Sequence, residues 1–252
     1  MALVFDIETI ADLSSDSREA IEALAAGREM TAEHYGALCP PLARVVCIAW
    51  YDTEQAQLGC AFDTRLHSGE APALLDLATS IDSATAIACS LEACDGEPGL
   101  LTAFGTRLES HVGGSDPYLV TFNGRGFDLP VLLHRSVRCN LARGRAVLLK
   151  ALNDNRYRPS LHIDLMDFLT FFGATSRWPL AAYALGYGLS SPKSEMDGSQ
   201  VGPAVAAGRI VDVARYCAGD VRATAEVYRK VKAVDGWLPQ RPSNEARPSS
   251  TT

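Results

Sequence analysis

The sequence lacks any long apolar run. Its most apolar stretches, such as residues 129–133, are a handful of residues long, and every longer window is interrupted by charge, glycine or proline. Because a helix needs about 20 consecutive apolar residues to cross a bilayer, no membrane span is predicted. The chain also begins directly with a strand-like segment, without the basic and apolar regions of a signal peptide. We therefore expect a cytoplasmic protein with no membrane association.

Cysteine pairs with the spacing of a metal or redox site are missing as well. The seven cysteines are an odd number and include no CxxC pair. Cys89 and Cys94 have no second pair of ligands that would complete a tetrahedral zinc site. The cysteines are therefore predicted to be reduced, mostly buried thiols.

Positive charge is scarce overall, since 23 Lys and Arg face 30 Asp and Glu and leave a net charge of −7. This balance argues against a protein that coats nucleic acid nonspecifically. The basic residues are nevertheless concentrated in residues 125–158, a segment with eight of them and only two acids. The segment is a candidate track for phosphate groups, with Arg143 and Arg145 among its contacts, but an ordinary solvated helix face would have the same charge pattern.

The apolar content is sufficient for an independently folded domain, because 47% of the 252 residues are hydrophobic. We predict a single domain over residues 1–235. Residues 236–252 are predicted to be a disordered tail, because they become rich in Pro, Ser, Thr and Arg without apolar periodicity. A polar insertion at residues 14–38 contains helical runs and has no assignable role.

Apolar patterns with the periods of strands and of helices both occur, which predicts an α/β fold. Strands are predicted at residues 2–7, 44–52, 57–64, 84–91 and 118–122, with the second and third forming a hairpin. Helices are predicted at residues 96–112, 130–137, 143–152, 165–172, 180–187 and about 210–231. The Gly-, Ser- and Pro-rich residues 188–203 are predicted to form a loop.

Two carboxylates lie at the end of the first predicted strand. Side chains alternate between the faces of a strand, so Asp6 and Glu8 point the same way, opposite to Phe5 and Ile7. Two negative groups at the end of an apolar strand are unfavourable unless cations neutralise them or solvent screens them. The pattern indicates either a metal site or an exposed strand end.

A second candidate motif covers residues 123–128 and follows a predicted strand. Asp128 lies at the start of the next predicted helix, where it could act as the N-cap or direct an oxygen at a metal. Gly124 and Gly126 would allow the backbone to approach a ligand closely. Phe127 could be a core residue or could pack against a nucleobase.

The third candidate motif is in the last predicted helix. Tyr216 and Asp220 are four residues apart and therefore share one face of that helix. A phenol beside a carboxylate can orient a water molecule for attack. A half-buried tyrosine beside a solvated acid would give the same pattern.

Together the three motifs resemble those of the DEDD superfamily of 3′-5′ exonucleases. Residues 5–9 (FDIET) resemble the first exonuclease motif, residues 123–128 the second (Nx3FD) and residues 216–220 the third (Yx3D), whose tyrosine marks the DEDDy branch. Residues 162–167 (HIDLMD) and 196–201 (MDGSQV) resemble segments of the predicted exonucleases related to the proofreading domain of family-B DNA polymerases. The resemblance extends from residue 1 to about residue 232.

The resemblance implies a ribonuclease-H-like α/β fold, with a mixed central β-sheet flanked by helices, and 3′-5′ exonuclease activity. The implied ligands of two divalent cations, Mg²⁺ or Mn²⁺, are Asp6, Glu8, Asp128 and Asp220. Tyr216 would position a water that the cations, about 4 Å apart, activate for in-line attack. The implied substrate is the 3′ end of single-stranded nucleic acid, with DNA favoured over RNA, and the products are nucleoside 5′-monophosphates. The implied contacts to the terminal nucleotide are Thr9, Asn123 and Phe127.

Two other functions are compatible with some of these residues. A DEDD-like fold that binds nucleic acid without hydrolysing it would keep the same motifs. Residues 6–9 also resemble the DxDxT motif of aspartate-based phosphatases. Those enzymes require a second aspartate where Glu8 stands, and they do not account for the second and third motifs.

Several further polar residues have simpler interpretations than metal binding. His162, Asp164 and Asp167 could be extra ligands, but Asp164 precedes an apolar helix and is more simply its N-cap. Asp197 is interpreted as a residue that stabilises a loop.

Overall fold

A mixed β-sheet, with seven strands among the described residues, forms the centre of the protein. The computed structural model describes residues 1–67, 74–77, 87–113, 118–189 and 196–239. The strands are β1 Ala2–Ala11, β2 Ala43–Asp52, β3 Gln57–Asp63, β4 Leu74–Leu77, β5 Ile87–Cys94, β6 Tyr118–Thr121 and β7 His162–Asp164. Their order across the sheet is β4-β5-β3-β2-β1-β6-β7.

The pairing of the strands brings three carboxyl ends to one edge of the sheet. β2 pairs antiparallel with β1 and with β3, and its pairing with β3 is the predicted hairpin. β6 pairs parallel with β1, and β7 pairs parallel with β6. β5 pairs parallel with β3 and antiparallel with β4. The carboxyl ends of β1, β6 and β7 therefore lie side by side.

Helices flank the sheet, which confirms the predicted α/β class. They are α1 Ser15–Ala25, α2 Ala32–Leu38, α3 Gly96–Val112, α4 Asp128–Arg138, α5 Arg145–Leu152, α6 Leu165–Leu169, α7 Leu180–Gly186, α8 Val201–Ala206 and α9 Ile210–Lys232. Short 3₁₀ helices cover Thr64–Leu66 and Gly198–Gln200. α1 and α2 are the helical runs of the 14–38 insertion.

The core has two layers, one on each face of the sheet. Val4 of β1 belongs to the layer that contains Val221 of α9. Phe5, the next residue, belongs to the other layer with Leu100 of α3 and Leu132 of α4. Alternation along β1 thus assigns neighbouring side chains to opposite layers, as its sequence predicts.

Several predicted elements have different ends in the structure. β1 continues to Ala11 rather than ending at residue 7, and β5 continues to Cys94 rather than ending at residue 91. Residues 84–86 of the predicted strand lie outside the described residues. The predicted helix 165–172 is too long, because α6 ends at Leu169. Phe171 and Phe172 have φ values of 48° and 59°, which a right-handed helix cannot contain.

The predicted loop at residues 188–203 is wrong at its C-terminal end. Asp197 accepts hydrogen bonds that begin the 3₁₀ helix Gly198–Gln200 and forms a capping box with Gln200, and α8 follows from Val201. Asp197 therefore has the stabilising role predicted for it. Residues 190–195 of the predicted loop lie outside the described residues.

The expectations about the whole chain have different outcomes. Five of the seven cysteines are buried and the other two partly buried, which confirms that most are buried. Within the described part of the chain, no helix has the length and apolarity to cross a membrane. The single domain over residues 1–235 stays a prediction. The tail predicted at residues 236–252 falls, from residue 240 onward, outside the described residues.

Candidate metal centre

Strand β1 presents Asp6 and Glu8 on the face of the sheet that packs against α9. Asp6 lies opposite Ala49 of β2, and Glu8 lies opposite Cys47. The pairing then shifts at a β-bulge between Glu8 and Thr9. Bulges redirect side chains and are frequent beside functional sites. Glu8 is only 9% exposed, so neither acid belongs to a frayed, solvated strand end.

The loop after β6 delivers Asp128 to the same edge of the sheet. Asn123 has a left-handed φ of 67°, which asparagine tolerates better than most residues. The Asp164 carboxylate accepts hydrogen bonds from the main-chain N–H groups of Asn123 at 2.8 Å and Arg125 at 2.9 Å, and so fastens the loop to the end of β7. It also accepts from the N–H of Met166 at 3.0 Å, which confirms Asp164 as the N-cap of α6.

Gly124 is required by packing inside this loop. A Cβ atom at residue 124 would be 2.4 Å from Thr121 Oγ1 and 2.5 Å from Thr121 Cβ, so a larger residue would displace the end of β6. At Gly126 the nearest atom to such a Cβ is 3.4 Å away, which is an ordinary contact. The sequence analysis expects Gly124 to let the backbone approach a ligand closely. In the structure, the close neighbour of Gly124 is Thr121.

Helix α9 contributes a phenol, a thiol and a further carboxylate. The Tyr216 hydroxyl donates a hydrogen bond to the Asp220 carboxylate, one helical turn away. Cys217 is fully buried, and its Sγ atom lies 3.9 Å from Asp6 Oδ2 and 3.5 Å from the Asp6 carbonyl oxygen. These contacts hold the middle of α9 against the acidic part of β1.

Burial and mutual repulsion raise the pKa values of the acids on β1. Burial is the largest cause of the raised pKa of Asp6, followed by the negative charges of Asp128, Glu8 and Asp220. Burial also dominates for Glu8, and the charges of Asp220 and Asp128 raise its pKa further. The four carboxylates therefore interact as one cluster that is unfavourable when fully ionised.

The two acids contributed by helices are perturbed in the same direction. Burial raises the pKa of Asp128 to about 7, although hydrogen bonds from its own N–H and that of Ile7 act to lower it. Burial raises the pKa of Asp220 to about 6, against the lowering effect of the hydrogen bond from Tyr216. Burial and the charges of Asp220 and Glu8 raise the pKa of Tyr216, so its hydroxyl stays protonated.

The donor atoms of the cluster fit hard divalent cations. Ligand atoms of Asp6, Glu8 and Cys217 lie within 4.8 Å of one another. Asp128 Oδ1 is buried and has no hydrogen-bond partner among the described residues, which is costly unless a ligand completes it. Carboxylate oxygens are the ligands that Mg²⁺ and Mn²⁺ prefer.

The residues predicted to contact the terminal nucleotide lie around this cluster, and each has a contact within the chain. The Thr9 hydroxyl donates to the carbonyl of Ala37 at 2.8 Å, which ties the 14–38 insertion to the end of β1. Phe127 is partly buried and packs against the core layer that contains α3 and α4. Asn123 is fixed through its main chain by Asp164. Their contacts to substrate stay predictions.

The predicted phosphate track is largely occupied by contacts within the chain. The Arg125 guanidinium donates to the carbonyls of residues 151, 152, 154 and 162. Arg135 is buried and forms ion pairs with Glu97 and Asp12. These two arginines therefore have structural partners.

Arg143 and Arg145 lie toward the far end of α4 from Asp128. Arg143 forms an ion pair with Glu109, and Arg145 donates to the carbonyls of Ser136 and Leu141. Ser136 is eight residues after Asp128, which corresponds to about 12 Å along the helix axis. Contacts of Arg143 and Arg145 with phosphate stay predictions.

Cys217 was not identified from the sequence as part of the site. The available signal is its position directly after Tyr216, three residues before Asp220, on a helix whose Val213 and Val221 face the sheet. That spacing places Cys217 between the buried stripe of α9 and β1. A cysteine in such a position is indistinguishable in the sequence from an ordinary core residue.

A family model of predicted 3′-5′ exonucleases related to the exonuclease domain of PolB matches residues 82–248, well over half of the chain. The match includes Asp128, Tyr216 and Asp220, whereas Asp6 and Glu8 lie before it. No curated protein matches the chain in sequence.

The fold is similar to that of the family B DNA polymerase from the hyperthermophilic archaeon Pyrobaculum calidifontis. The TM-score is 0.54 and the identity 16%, and the match covers 92% of this chain and 24% of the polymerase chain. The chain thus spans about a quarter of the polymerase's length. At this identity the similarity concerns the fold alone, and it confirms the predicted ribonuclease-H-like architecture.

Proposed function

Because the chain belongs to the family of predicted 3′-5′ exonucleases related to the exonuclease domain of PolB, we propose that it is a metal-dependent 3′-5′ exonuclease. The proposed substrate is the 3′ end of single-stranded nucleic acid, and the proposed products are nucleoside 5′-monophosphates. DNA is favoured over RNA, since the family is related to a domain of a DNA polymerase.

The observation that carries the proposal is the convergence of four acids and one phenol on a single cluster in which Glu8 and Asp128 are buried and the other three residues partly buried. β1, the β6–α4 loop and α9 each contribute to it, although more than 200 residues separate Asp6 from Asp220. A buried cluster of acids with raised pKa values is characteristic of sites where charge is compensated by a ligand. The unpartnered Oδ1 atom of Asp128 supports a cation as that ligand.

The residues of the cluster would have different roles in hydrolysis. Two divalent cations, Mg²⁺ or Mn²⁺, would be held by Asp6, Glu8, Asp128 and Asp220 and would supply the charge that activates the attacking water and stabilises the leaving 3′ oxygen. Tyr216 stays protonated and is oriented by its hydrogen bond to Asp220, so its hydroxyl can position that water.

The terminal nucleotide would be held by the loop that carries Asp128. Phe127 is only partly buried, so part of its ring is available to pack against a base. Asn123 and Thr9 flank the acids on the β6–α4 loop and on β1. Asp164 would act as a positioning residue, because it fixes the main chain of the loop at Asn123 and Arg125. A site for one terminal nucleotide requires that nucleotide to be unpaired, which favours a single-stranded end.

The proposal can be tested with 5′-labelled single-stranded DNA and RNA oligonucleotides in Mn²⁺ or in EDTA. We expect a ladder that shortens from the 3′ end in Mn²⁺ and no cleavage in EDTA. Asp6→Ala should abolish cleavage. Tyr216→Phe should lower kcat on the order of 100-fold while cleavage remains metal-dependent, because it removes only the hydroxyl that positions the water. Asp212→Asn, an acid of α9 paired with Arg209, is the matched control and should cleave normally.

Two results would contradict the proposal. Cleavage that persists in EDTA or in Asp6→Ala would exclude the acidic cluster as the catalytic centre. Binding of the oligonucleotides without any shortening, by protein whose melting temperature responds to Mn²⁺, would instead indicate a silent binding module with the same fold.

A further inference from the structure

A group of aromatic side chains lies on the surface after α6 and is not used in the proposed chemistry. The ring of Phe171 stacks on that of Trp237, with centroids 6.1 Å apart and planes 6° from parallel. The ring of Tyr157 lies 4.7 Å from that of Phe172. Tyr157 is 61% exposed and Phe171 60% exposed. We call these four side chains the aromatic surface.

The backbone holds two of these rings in a conformation that bulky residues rarely adopt. Phe171 and Phe172 both have left-handed φ values, 48° and 59°. Hydrogen bonds on either side maintain the turn, because the Thr170 hydroxyl donates to the carbonyl of Met166 and the N–H of Phe172 donates to the carbonyl of Asp167. Strained positions that are held by their surroundings occur preferentially at binding sites.

Positive charge accompanies the rings, on a chain that is acidic overall. The Arg156 guanidinium lies 5.7 Å from the centroid of the Tyr157 ring. Arg158 is exposed, and its side chain forms no ion pair with any of the described residues. The acids Asp164 and Asp167 are buried, whereas Asp235, two residues before Trp237, is exposed. Positive charge therefore predominates on the Tyr157 side of the aromatic surface. This charge distribution is complementary to a polyanion.

A chain of polar contacts joins the aromatic surface to the acidic cluster. Asp164 holds the main chain of the loop that carries Asp128. Asp167, three residues further along, forms ion pairs with Arg125 of that loop and with Arg156. Arg156 immediately precedes Tyr157. The aromatic surface is thus fixed to the same framework as the acidic cluster and lies on its β7 side.

From this arrangement we infer that the aromatic surface binds single-stranded nucleic acid upstream of the 3′ end. Bases would stack on the exposed rings of Tyr157 and Phe171, while Arg156 and Arg158 would contact the phosphates. Exposed aromatic rings beside arginines form such platforms because every base has a face that can stack. The inference rests on the proposed function, since it gives the path of the strand whose end is cleaved.

The experiment separates the aromatic surface from the acidic cluster by the length of the substrate. Binding of fluorescein-labelled oligodeoxythymidylates from about 2 to about 16 nucleotides, a range that spans known single-strand site sizes, is measured by anisotropy in EDTA. Hydrolysis of the p-nitrophenyl ester of thymidine 5′-monophosphate in Mn²⁺ reports on the acidic cluster alone. The test variant combines Tyr157→Ala with Phe171→Asn, because asparagine tolerates the left-handed backbone. Tyr157→Phe with Phe171→Tyr retains the rings.

The expected result is a loss of binding that depends on oligonucleotide length. The wild type should bind longer oligonucleotides more tightly, and the test variant should lose that gain, on the order of tenfold per ring removed. Ester hydrolysis should be unchanged, and the variant that retains the rings should bind normally. Val137→Ala, which alters an equally exposed apolar residue of α4, should also bind normally.

An unchanged length dependence in the test variant would overturn the inference and would leave the aromatic surface as a contact for a protein. Failure of the wild type to hydrolyse the p-nitrophenyl ester and single-stranded oligonucleotides in Mn²⁺ would contradict the proposed function instead. The binding measurement needs no hydrolysis, so it would still decide the role of the aromatic surface.

Discussion

At the scale of single residues, repulsion among the ionised acids of the cluster destabilises the metal-free protein. Asp128→Asn removes one negative charge and supplies an amide that can donate to Asp6, so we expect the metal-free protein to be more stable by about 1–3 kcal/mol. Thermal melting in EDTA near pH 8 measures the gain, and hydrolysis should be lost in parallel. A lower melting temperature of Asp128→Asn would show that the carboxylates do not repel one another.

Asp154→Asn is the matched control for that substitution. Burial acts to raise the pKa of Asp154, but hydrogen bonds from the N–H groups of His162, Leu161 and Ser160 outweigh it and lower the pKa. The charge of Asp154 is therefore stabilised by the fold, and the same exchange of Asp for Asn should decrease stability there.

The raised pKa values also predict how stability depends on pH. Asp128 and Asp220 have pKa values of about 7 and about 6, so between about pH 4 and 7 the folded state binds more protons than the unfolded chain. The free energy of unfolding of the metal-free protein should therefore fall as pH rises through this window. Each unit of raised pKa corresponds to about 1.4 kcal/mol.

Melting curves in EDTA and in Mg²⁺, recorded between about pH 5 and 8, test this expectation. The gain in melting temperature from Mg²⁺ should grow with pH, because the ion binds the ionised carboxylates. Burial and the charge of Arg125 together lower the pKa of His162 to about 3. This effect on stability is present with and without metal, so it cancels in the difference. A gain that is the same at every pH would contradict the assignment of these acids as ligands.

The sequence identifies the acids but not the environment that perturbs them. Alternation along β1 correctly predicts that Asp6 and Glu8 share a face, because side chains two residues apart in a strand lie on the same side of the sheet. The contacts of Cys217 with Asp6 could not be predicted from spacing alone, since they depend on how α9 crosses β1. The sequence predicted Asp164 as a helix cap, but it did not predict that the same carboxylate holds the main chain of the β6–α4 loop.

At the scale of elements, the β6–α4 loop depends on the absence of a side chain at residue 124. Gly124→Ala should destabilise the protein by about 1–3 kcal/mol, because the added Cβ would overlap Thr121 and move the end of β6. The shift should also displace Asp128 and weaken the response of the melting temperature to Mg²⁺. Gly126→Ala, in the same loop but with its nearest atom 3.4 Å away, should change both quantities little. Equal effects of the two substitutions would exclude this explanation.

The long elements were predictable, and the short ones were not. α3 and α9 have enough turns for apolar periodicity to define them, and the bounds of α3 agree with the prediction. β7 has three residues and α8 six, which is too few to establish either period. α6 ends early for a tertiary reason, because Phe171 and Phe172 adopt left-handed conformations that no apolar pattern indicates.

At the scale of the whole molecule, the strand order brings together acids that are far apart in the sequence. β6 lies beside β1 and β7 beside β6, all in parallel, so the loop that precedes Asp128 opens at the same edge as Asp6. Local patterns predict strands and helices, but they do not determine which strands pair. Here the ribonuclease-H-like fold was predicted from the resemblance of the three motifs to a family. Nothing in the sequence indicated that β4 would form the edge of the sheet.

The distribution of charge over the whole molecule leads to a final prediction, about salt. The protein is acidic overall, so attraction to an oligonucleotide must come from exposed arginines, including those that can exchange an internal partner for phosphate. The side chain of Arg143 is 55% exposed in its ion pair with Glu109, whereas Arg145 donates to two carbonyls near the end of α4. We therefore expect Arg143→Ala to reduce the slope of log binding constant against log salt by about 0.7, the value of one phosphate contact on a single strand.

Binding of an oligonucleotide in EDTA at several salt concentrations provides that slope. Arg145→Ala should mainly lower the melting temperature, because its removal leaves the last turn of α4 and the following loop without a donor. Arg28→Ala, in the 14–38 insertion, is the control and should alter neither the slope nor the response to Mg²⁺. A slope that Arg143→Ala leaves unchanged would mean that Arg143 only stabilises the fold and that the strand reaches the acidic cluster by another face. The aromatic surface, with Arg156 and Arg158 beside its rings, would then be the main route.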